Sequence, residues 1–297
     1  MTNIQVEHLT KRFGPLAAVD DLSFAVQEGR VTGFLGANGS GKTTTLRVLL
    51  GLSEATAGTA TFGGRRYGDL ADPIREVGAV IANDTFHPGR SAVEHLLVLA
   101  TAAGIDRQRT DSVLETVGLA DVASRKVGGY SLGMRQRLSL AVALLGEPSV
   151  LVFDEPLNGL DPEGISWFRT LVRDFAARSG TVLLSSHLLA EVAHTVDDVV
   201  VIAHGRLLAA SPLNELGRTA VTVVRSPHAA VLTAALLAAG YPAQRVNDDE
   251  VHVPGIAPDE VGLVAAHEGV VITGLSEQRD DLEDLFRDLT NTEGTRS

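Results

Sequence analysis

The chain contains no cysteine. That excludes a disulfide scaffold and any thiolate metal site, and it suits a reducing compartment. Lysine is scarce: Lys11, Lys42 and Lys126 are its three. Long apolar runs are missing too. The longest, Ala229 to Ala239, is interrupted by Thr233, and a membrane-spanning helix needs about 20 such residues. Met1 to Leu9 lacks a basic start followed by an apolar core, so no secretory signal is expected. Positive charge is in deficit: 25 basic against 37 acidic side chains leave a formal net charge of −12. A stable grip on DNA or RNA needs a basic face, so no nucleic-acid partner is expected. Any work at a membrane would borrow its membrane part from another chain.

What is present is a globular composition, 44% hydrophobic and 21% charged over 297 residues. That length suggests about two domains and can hide about three quarters of the unfolded surface. The 30 glycines follow no three-residue period, which excludes collagen. The acidity is uneven. From Gly205 onward 14 acids face 7 arginines, a balance of −7, whereas the first 204 residues carry −5.

Residues 1 to about 210 alternate strand and helix signals. Val31–Leu35, Val150–Phe153, Thr181–Leu184 and Val199–Ala203 are short aliphatic runs, too short for helices, and read as buried parallel strands. Glu163–Arg178 and Leu188–Val196 between them read as helices. The pattern predicts an α/β fold, a parallel sheet with helices on its faces. Ile4–Leu9, Leu22–Gln27 and Thr59–Phe62 predict a small antiparallel β-layer beside it. Glu94–Ala103 and Thr110–Val117 predict helices of a separate lobe before Ser131. From about Thr219 the pattern restarts. Strand-like Thr219–Arg225, helix-like Ala229–Ala239, strands at Ala243–Val246 and Glu250–Val253, helix-like Pro258–His267, a strand at Val270–Thr273 and a helix at Arg279–Thr290 follow one another. That order suits either a split βαβ sandwich or a loosely built tail of helices and hairpins.

Gly36-Ala37-Asn38-Gly39-Ser40-Gly41-Lys42-Thr43 matches G-x-x-x-x-G-K-[ST], after a predicted strand and before a predicted helix. A chance match in this composition has a probability on the order of 0.004. The glycines let successive N–H groups point at phosphates, and the helix opening at Lys42 and Thr43 adds its positive end. Lys42 would reach the β- and γ-phosphates, and the Thr43 hydroxyl would bind Mg²⁺. Val150–Phe153 runs into Asp154 and Glu155, at the strand end that faces a ligand crevice. Asp154 would hold Mg²⁺ through water, and Glu155 would orient and polarise the attacking water as general base.

Together these motifs resemble the nucleotide-binding subunit of an ATP-binding cassette (ABC) transporter, over about residues 3 to 215. Lys11-Arg12-Phe13-Gly14 is similar to the aromatic loop, which implies that Phe13 stacks on adenine. Ser131-Leu132-Gly133-Met134-Arg135-Gln136-Arg137 is similar to the family signature, Asn158-Gly159-Leu160-Asp161-Pro162 to the D-loop, and Ser185-Ser186-His187 to the switch histidine. Ser131 can cap a helix whose free N–H groups make a second anion site. The resemblance implies the P-loop ATPase fold of this family, with an antiparallel β-subdomain and a helical subdomain at about residues 85–145. The ATPase domain would cover residues 1–217. Residues 218–297 would be an accessory α+β domain, ferredoxin-like if the sandwich reading holds.

The implied chemistry is ATP hydrolysis with Mg²⁺. Lys42, Glu155 and His187 would be catalytic. Phe13, Gly36, Asn38, Gly39, Ser40, Gly41, Lys42, Thr43, Thr44, Ser131, Gly133 and Asp161 would contact nucleotide or its interface, and Thr43 and Asp154 the metal. Two subunits would close head to tail around two ATP molecules, Ser131 and Gly133 of one facing the γ-phosphate held by the other. The implied partners are a second cassette, expected to make a homodimer, and a separate polytopic permease. The implied location is cytoplasmic, on the inner face of the cell membrane.

Two departures stand out. Leu132 and Met134 replace a glycine and a glutamine of the familiar signature, a form similar to that of a branch of bacterial drug and antibiotic exporters. Ala82, in Val80-Ile81-Ala82-Asn83-Asp84, stands where the Q-loop glutamine or glutamate is expected. Alanine cannot bind Mg²⁺ or water; Asn83 or Asp84 would serve if the alignment is off by one or two. Asp281–Thr290 resembles the closing helix of the exporter subunits, with Leu282, Leu285, Phe286 and Leu289 at the spacing of a docking face. Other cassette roles fit less well: a soluble ATPase acting on ribosomes or DNA, and an importer. Ribosome-acting relatives carry two cassettes, and DNA-repair relatives insert a long coiled coil between phosphate loop and signature. An import cassette would keep the ordinary signature and the glutamine.

Overall fold

The computed structural model describes residues 3–81, 86–215 and 221–278. The chain divides into two compact units, Met1–Leu213 and Asn214–Ser297. In chain order the first carries β1 (Ile4–Phe13), β2 (Leu16–Val26), β3 (Val31–Leu35), α1 (Lys42–Leu49), β4 (Ala57–Phe62), α2 (Pro73–Glu76), β5 (Val77–Val80), α3 (Ala92–Ala102), α4 (Arg107–Thr116) and α5 (Leu132–Leu144). It continues with β6 (Val150–Phe153), α6 (Pro162–Ala177), β7 (Thr181–Ser186), α7 (Leu189–Val192), β8 (Asp198–Ala203) and β9 (Arg206–Pro212).

The main sheet has the order β5-β6-β7-β3-β8-β9, parallel except for the last pair. Every residue of β3, β6 and β7 is buried, as parallel strands covered on both faces must be. The unbroken aliphatic runs have this cause. On one face the edge of Phe153 meets Phe168 of α6, centroids 5.5 Å apart. On the other, Phe34 stacks on Phe24 at 5.2 Å. Phe24 belongs to the antiparallel layer β2-β1-β4, whose Ile4, Leu9, Leu22 and Phe62 share one core with Leu46 and Leu49 of α1.

Two strands carry no such signal in the sequence. β5 is four residues long and contains Gly78, where a Cβ would collide with the Ala143 carbonyl of α5. β9 is largely solvated and is turned back onto β8 by His204 and Gly205, both at positive φ. That pair of left-handed residues makes a tight hairpin.

Helices α3, α4 and α5 form the lobe between β5 and β6. Ser91 and Glu94 close a reciprocal capping box on α3, Asp106 caps α4 and Ser131 caps α5. Arg109 of α4 donates to the Leu144 carbonyl at 2.8 Å, satisfying the end of α5. Arg137 of α5 lies over the ring of Trp167 of α6, 4.9 Å from its centroid.

The second unit runs β10 (Val221–Arg225), α8 (Ala229–Ala238), β11 (Gln244–Arg245), β12 (Glu250–Pro254), α9 (Pro258–His267) and β13 (Gly274–Gln278). Its sheet order is β11-β12-β10-β13, with all neighbours antiparallel. Val224, Leu232, Leu236, Val251, Val253 and Val261 make its core. The sequence predicts the last strand at Val270–Thr273, and the structure moves it to Gly274–Gln278. Val270 and Ile272 pack against the core as a connection, and the ladder with β10 starts only where Gly274 pairs with Arg225. The helix expected at Arg279–Thr290 lies outside the described residues.

Phe168 is fully buried and carries the contact between α6 and β6. Phe168→Ala is expected to destabilise the fold by about 3–5 kcal/mol, read as a lowered urea midpoint with an unchanged slope.

Candidate nucleotide site

The parallel sheet brings the site together by register. Phe153 pairs with Leu184 and Leu35 with Ser186. The carboxyl ends of β6, β7 and β3 therefore lie side by side, and the segments after them, Asp154-Glu155, His187 and Gly36 to Gly41, leave the sheet at one edge. Ligands bind outside this edge in open α/β sheets.

The loop from Gly36 to Gly41 is shaped for close approach. A Cβ on Gly36 would sit 2.5 Å from the Ile202 carbonyl and from Ser40 Oγ. Gly41 has φ +108°, and a Cβ there would meet the Ala18 carbonyl at 2.5 Å. Gly41 also stands at the N-cap of α1 and offers it no side-chain acceptor. Ser40 Oγ is buried without a hydrogen-bond partner. Asn38 and Gly39 form the exposed tip, Gly39 at φ +82°. Thr44 is half-buried in the first turn of α1. Glycine-lined backbone, an uncapped helix start and an orphaned hydroxyl make a cradle suited to an anion.

Lys42 lies inside this cradle, 5% exposed. Its Nζ donates to the Gly36 carbonyl at 2.6 Å and lies 3.5 Å from Glu155 Oε1. Burial lowers the pKa of its ammonium below the ordinary lysine value, against the opposing pull of Glu155 and Asp154. Those two carboxylates do not restore what desolvation removes, so the site favours a further negative charge.

Thr43 Oγ1 donates to Asp154 Oδ2 at 2.7 Å, a hydroxyl and carboxylate pair of oxygen donors that suits a hard divalent cation. Ser185 Oγ donates to Asp154 Oδ1 at 2.5 Å and accepts from the Glu155 N–H at 2.9 Å. The Glu155 carboxylate is shared. Oε1 faces Lys42, and Oε2 lies 2.9 Å from His187 Nδ1.

Five residues named from the sequence thus meet in one cluster: Lys42, Thr43, Asp154, Glu155 and His187. Others stand apart from it. Phe13, 53% exposed, ends β1 beneath Lys11 Nζ, which lies 4.9 Å from its ring centroid. Ser131 Oγ caps α5 by accepting from Met134 N at 3.2 Å, and Gly133 follows in its first turn. Asp161 caps α6, accepting from Gly164 N at 2.7 Å. Among the described residues no hydrogen bond or ion pair joins Phe13, Ser131, Gly133 or Asp161 to Lys42, Glu155 or His187. Ala82, Asn83 and Asp84 lie outside the described residues.

Two polar residues gain a place here that the motifs alone do not give them. Ser185 bridges Asp154 and Glu155, a consequence of β7 lying beside β6. Gln136 is fully buried and donates to the Pro156 carbonyl at 2.9 Å; a glutamine on the apolar side of a helix was the available sign.

The chain is 36% identical over 296 residues, 96% of both lengths, to the bacitracin transport ATP-binding protein BcrA of Bacillus licheniformis. It belongs to the ATP-binding subunits of ABC transporters. The ABC transporter family matches residues 19–158, and a domain of unknown function matches residues 219–283. The lantibiotic transport ATP-binding protein SrtF of Streptococcus pyogenes is 33% identical over 69% of this chain and 89% of its own. A dimeric bacterial ABC transporter cassette, 21% identical, superposes with a TM-score of 0.65 over 71% of this chain and 98% of that one. The first unit is thus an ABC cassette with the ATPase fold, and the chain is an ATP-hydrolysing enzyme of that type.

Gly41→Ala puts a side chain at φ +108° and against the Ala18 carbonyl. The variant is expected to stay folded and to lose at least tenfold in nucleotide affinity, measured by titration calorimetry.

Proposed function

We propose that this cassette energises export of a drug, antibiotic or lipid-like compound through a separate polytopic permease. The reading is supported by the bacitracin-transport relative, whose likeness extends through the second unit. Among the described residues no helix is long and apolar enough to cross a membrane, so the pathway would belong to a partner on whose cytoplasmic side the cassette sits. We assign residues 1–217 to the ATPase and residues 218–297 to a ferredoxin-like accessory domain, on the strength of its strand order.

The observation that carries the chemistry is the Glu155 carboxylate held between Lys42 and His187. ATP phosphates entering the loop take Lys42 from Glu155. Oε1 is then free to orient a water and accept its proton. His187, on the other carboxylate oxygen, keeps Glu155 aimed and contacts the γ-phosphate. Thr43 and Asp154 would hold Mg²⁺, which when bound neutralises charge developing on the phosphates. Phe13 stacks on the adenine. Ser131 and Gly133 close on the nucleotide of a second copy, and Asp161 runs along that interface. Closure excludes other water and converts binding energy into movement of the permease.

Lys42→Ala is expected to lose ATP binding; unchanged affinity would remove Lys42 from the phosphate site. Glu155→Gln should bind MgATP within a few-fold of the parent, hydrolyse it about 100-fold or more slowly and accumulate as a dimer on size exclusion. The same variant, tagged and drawn with MgATP from detergent-solubilised membranes of its own cell, should bring down a polytopic membrane protein. Ribosomal or purely soluble partners would overturn the exporter reading and leave the ATPase standing.

A further inference from the structure

Glu155 is held in an unusual backbone conformation. Its φ is +50°, uncommon for any residue but glycine, and the proline that follows biases it toward extended backbone instead. Such a conformation lasts only where the surroundings over-determine it. Three hydrogen bonds do so here. The Glu155 N–H donates to Ser185 Oγ at 2.9 Å. The Glu155 carbonyl accepts from Asn158 N at 3.3 Å. Pro156 has no N–H, so its carbonyl is its one hydrogen-bonding group, and Gln136 Nε2 donates to it at 2.9 Å.

Gln136 belongs to the signature helix, not to the sheet edge. Its side chain is fully buried and its Oε1 has no partner. An unpaired buried amide oxygen is unfavourable, and leucine or methionine would meet a pure packing need better. One turn earlier on the same face of α5, Leu132 covers Gly159, where a Cβ would collide with its side chain. Two side chains of α5 therefore hold the segment from Pro156 to Gly159 at both ends.

We infer that Gln136 is a positioning residue, which through the Pro156 carbonyl fixes the backbone of Glu155 and ties it to the signature helix. The inference rests on the reading of Glu155 as the base. Its consequence is a coupling: Ser131 and Gly133 at the start of α5 face the nucleotide of the partner subunit, whereas Glu155 serves the nucleotide of its own. A shift of α5 made at one site reaches the base of the other.

The test is a KM-against-kcat split in the full chain. Gln136→Met keeps the volume and removes the donor. Expected are a kcat at least tenfold lower, a KM for ATP within about threefold of the parent, an unfolding midpoint close to the parent's, and no further slowing when combined with Glu155→Gln in single-turnover hydrolysis. A parental kcat, a loss confined to KM, or a loss that multiplies with Glu155→Gln would each overturn the inference. Should the methionine variant not fold, Gln136→Glu decides. A protonated carboxyl can donate to Pro156 and an ionised one cannot, so activity relative to the parent should approach unity at low pH and fall as pH rises. A flat relative profile would overturn the role. The single variant Glu155→Gln separates the two failures. If it hydrolyses at the parental rate, the base assignment is lost; if it is slow while Gln136→Met is normal, only the positioning role is lost.

Discussion

The carboxylate of Glu155 is the point on which the cassette turns. It lies just past the end of a fully buried strand, between an ammonium whose charge burial disfavours and an imidazole that follows the neighbouring strand. Neither partner is adjacent to it in sequence. Each arrives because parallel strands in register deliver their carboxyl ends to one edge. The rest of the first unit holds that register: Phe168 beneath β6, the antiparallel layer against Phe34, and α1 anchored by Leu46 and Leu49 in the same core.

Burial and charge are set against each other at this edge. Lys42 is dehydrated further than its two carboxylate neighbours offset. Ser40 Oγ and the start of α1 stand without acceptors. Each of these is unfavourable alone. Together they make a cradle suited to an anion, and on the proposed function the residues that weaken the empty loop would strengthen the loaded one.

Much of this was legible in the sequence, for identifiable reasons. β3, β6, β7 and β8 are buried on both faces, so each shows as an aliphatic run. The phosphate loop shows because its glycines stand where side chains would strike Ile202 and Ala18. β5 and β9 did not show, since an edge strand of four residues and a solvated return strand have no pattern of their own. The sequence predicts the last strand four residues early because Val270 and Ile272, apolar for packing, imitate a strand. Ser185 and Gln136 stand inside quoted motifs, but the sequence does not reveal their roles. Their partners come from a neighbouring strand and a facing loop, and no local spacing encodes either. Phe13, Gly133 and Asp161 are named by resemblance to a family and not by any local rule, whereas Ser131 also reads as a helix cap.

The stack of Arg137 on Trp167 has a practical side. The chain has a single tryptophan, and it sits where the signature helix crosses α6. A guanidinium over an indole changes its emission, so the protein carries one fluorophore at the contact between α5 and α6. Any change in that contact can therefore be read from the unmodified protein, with no label attached.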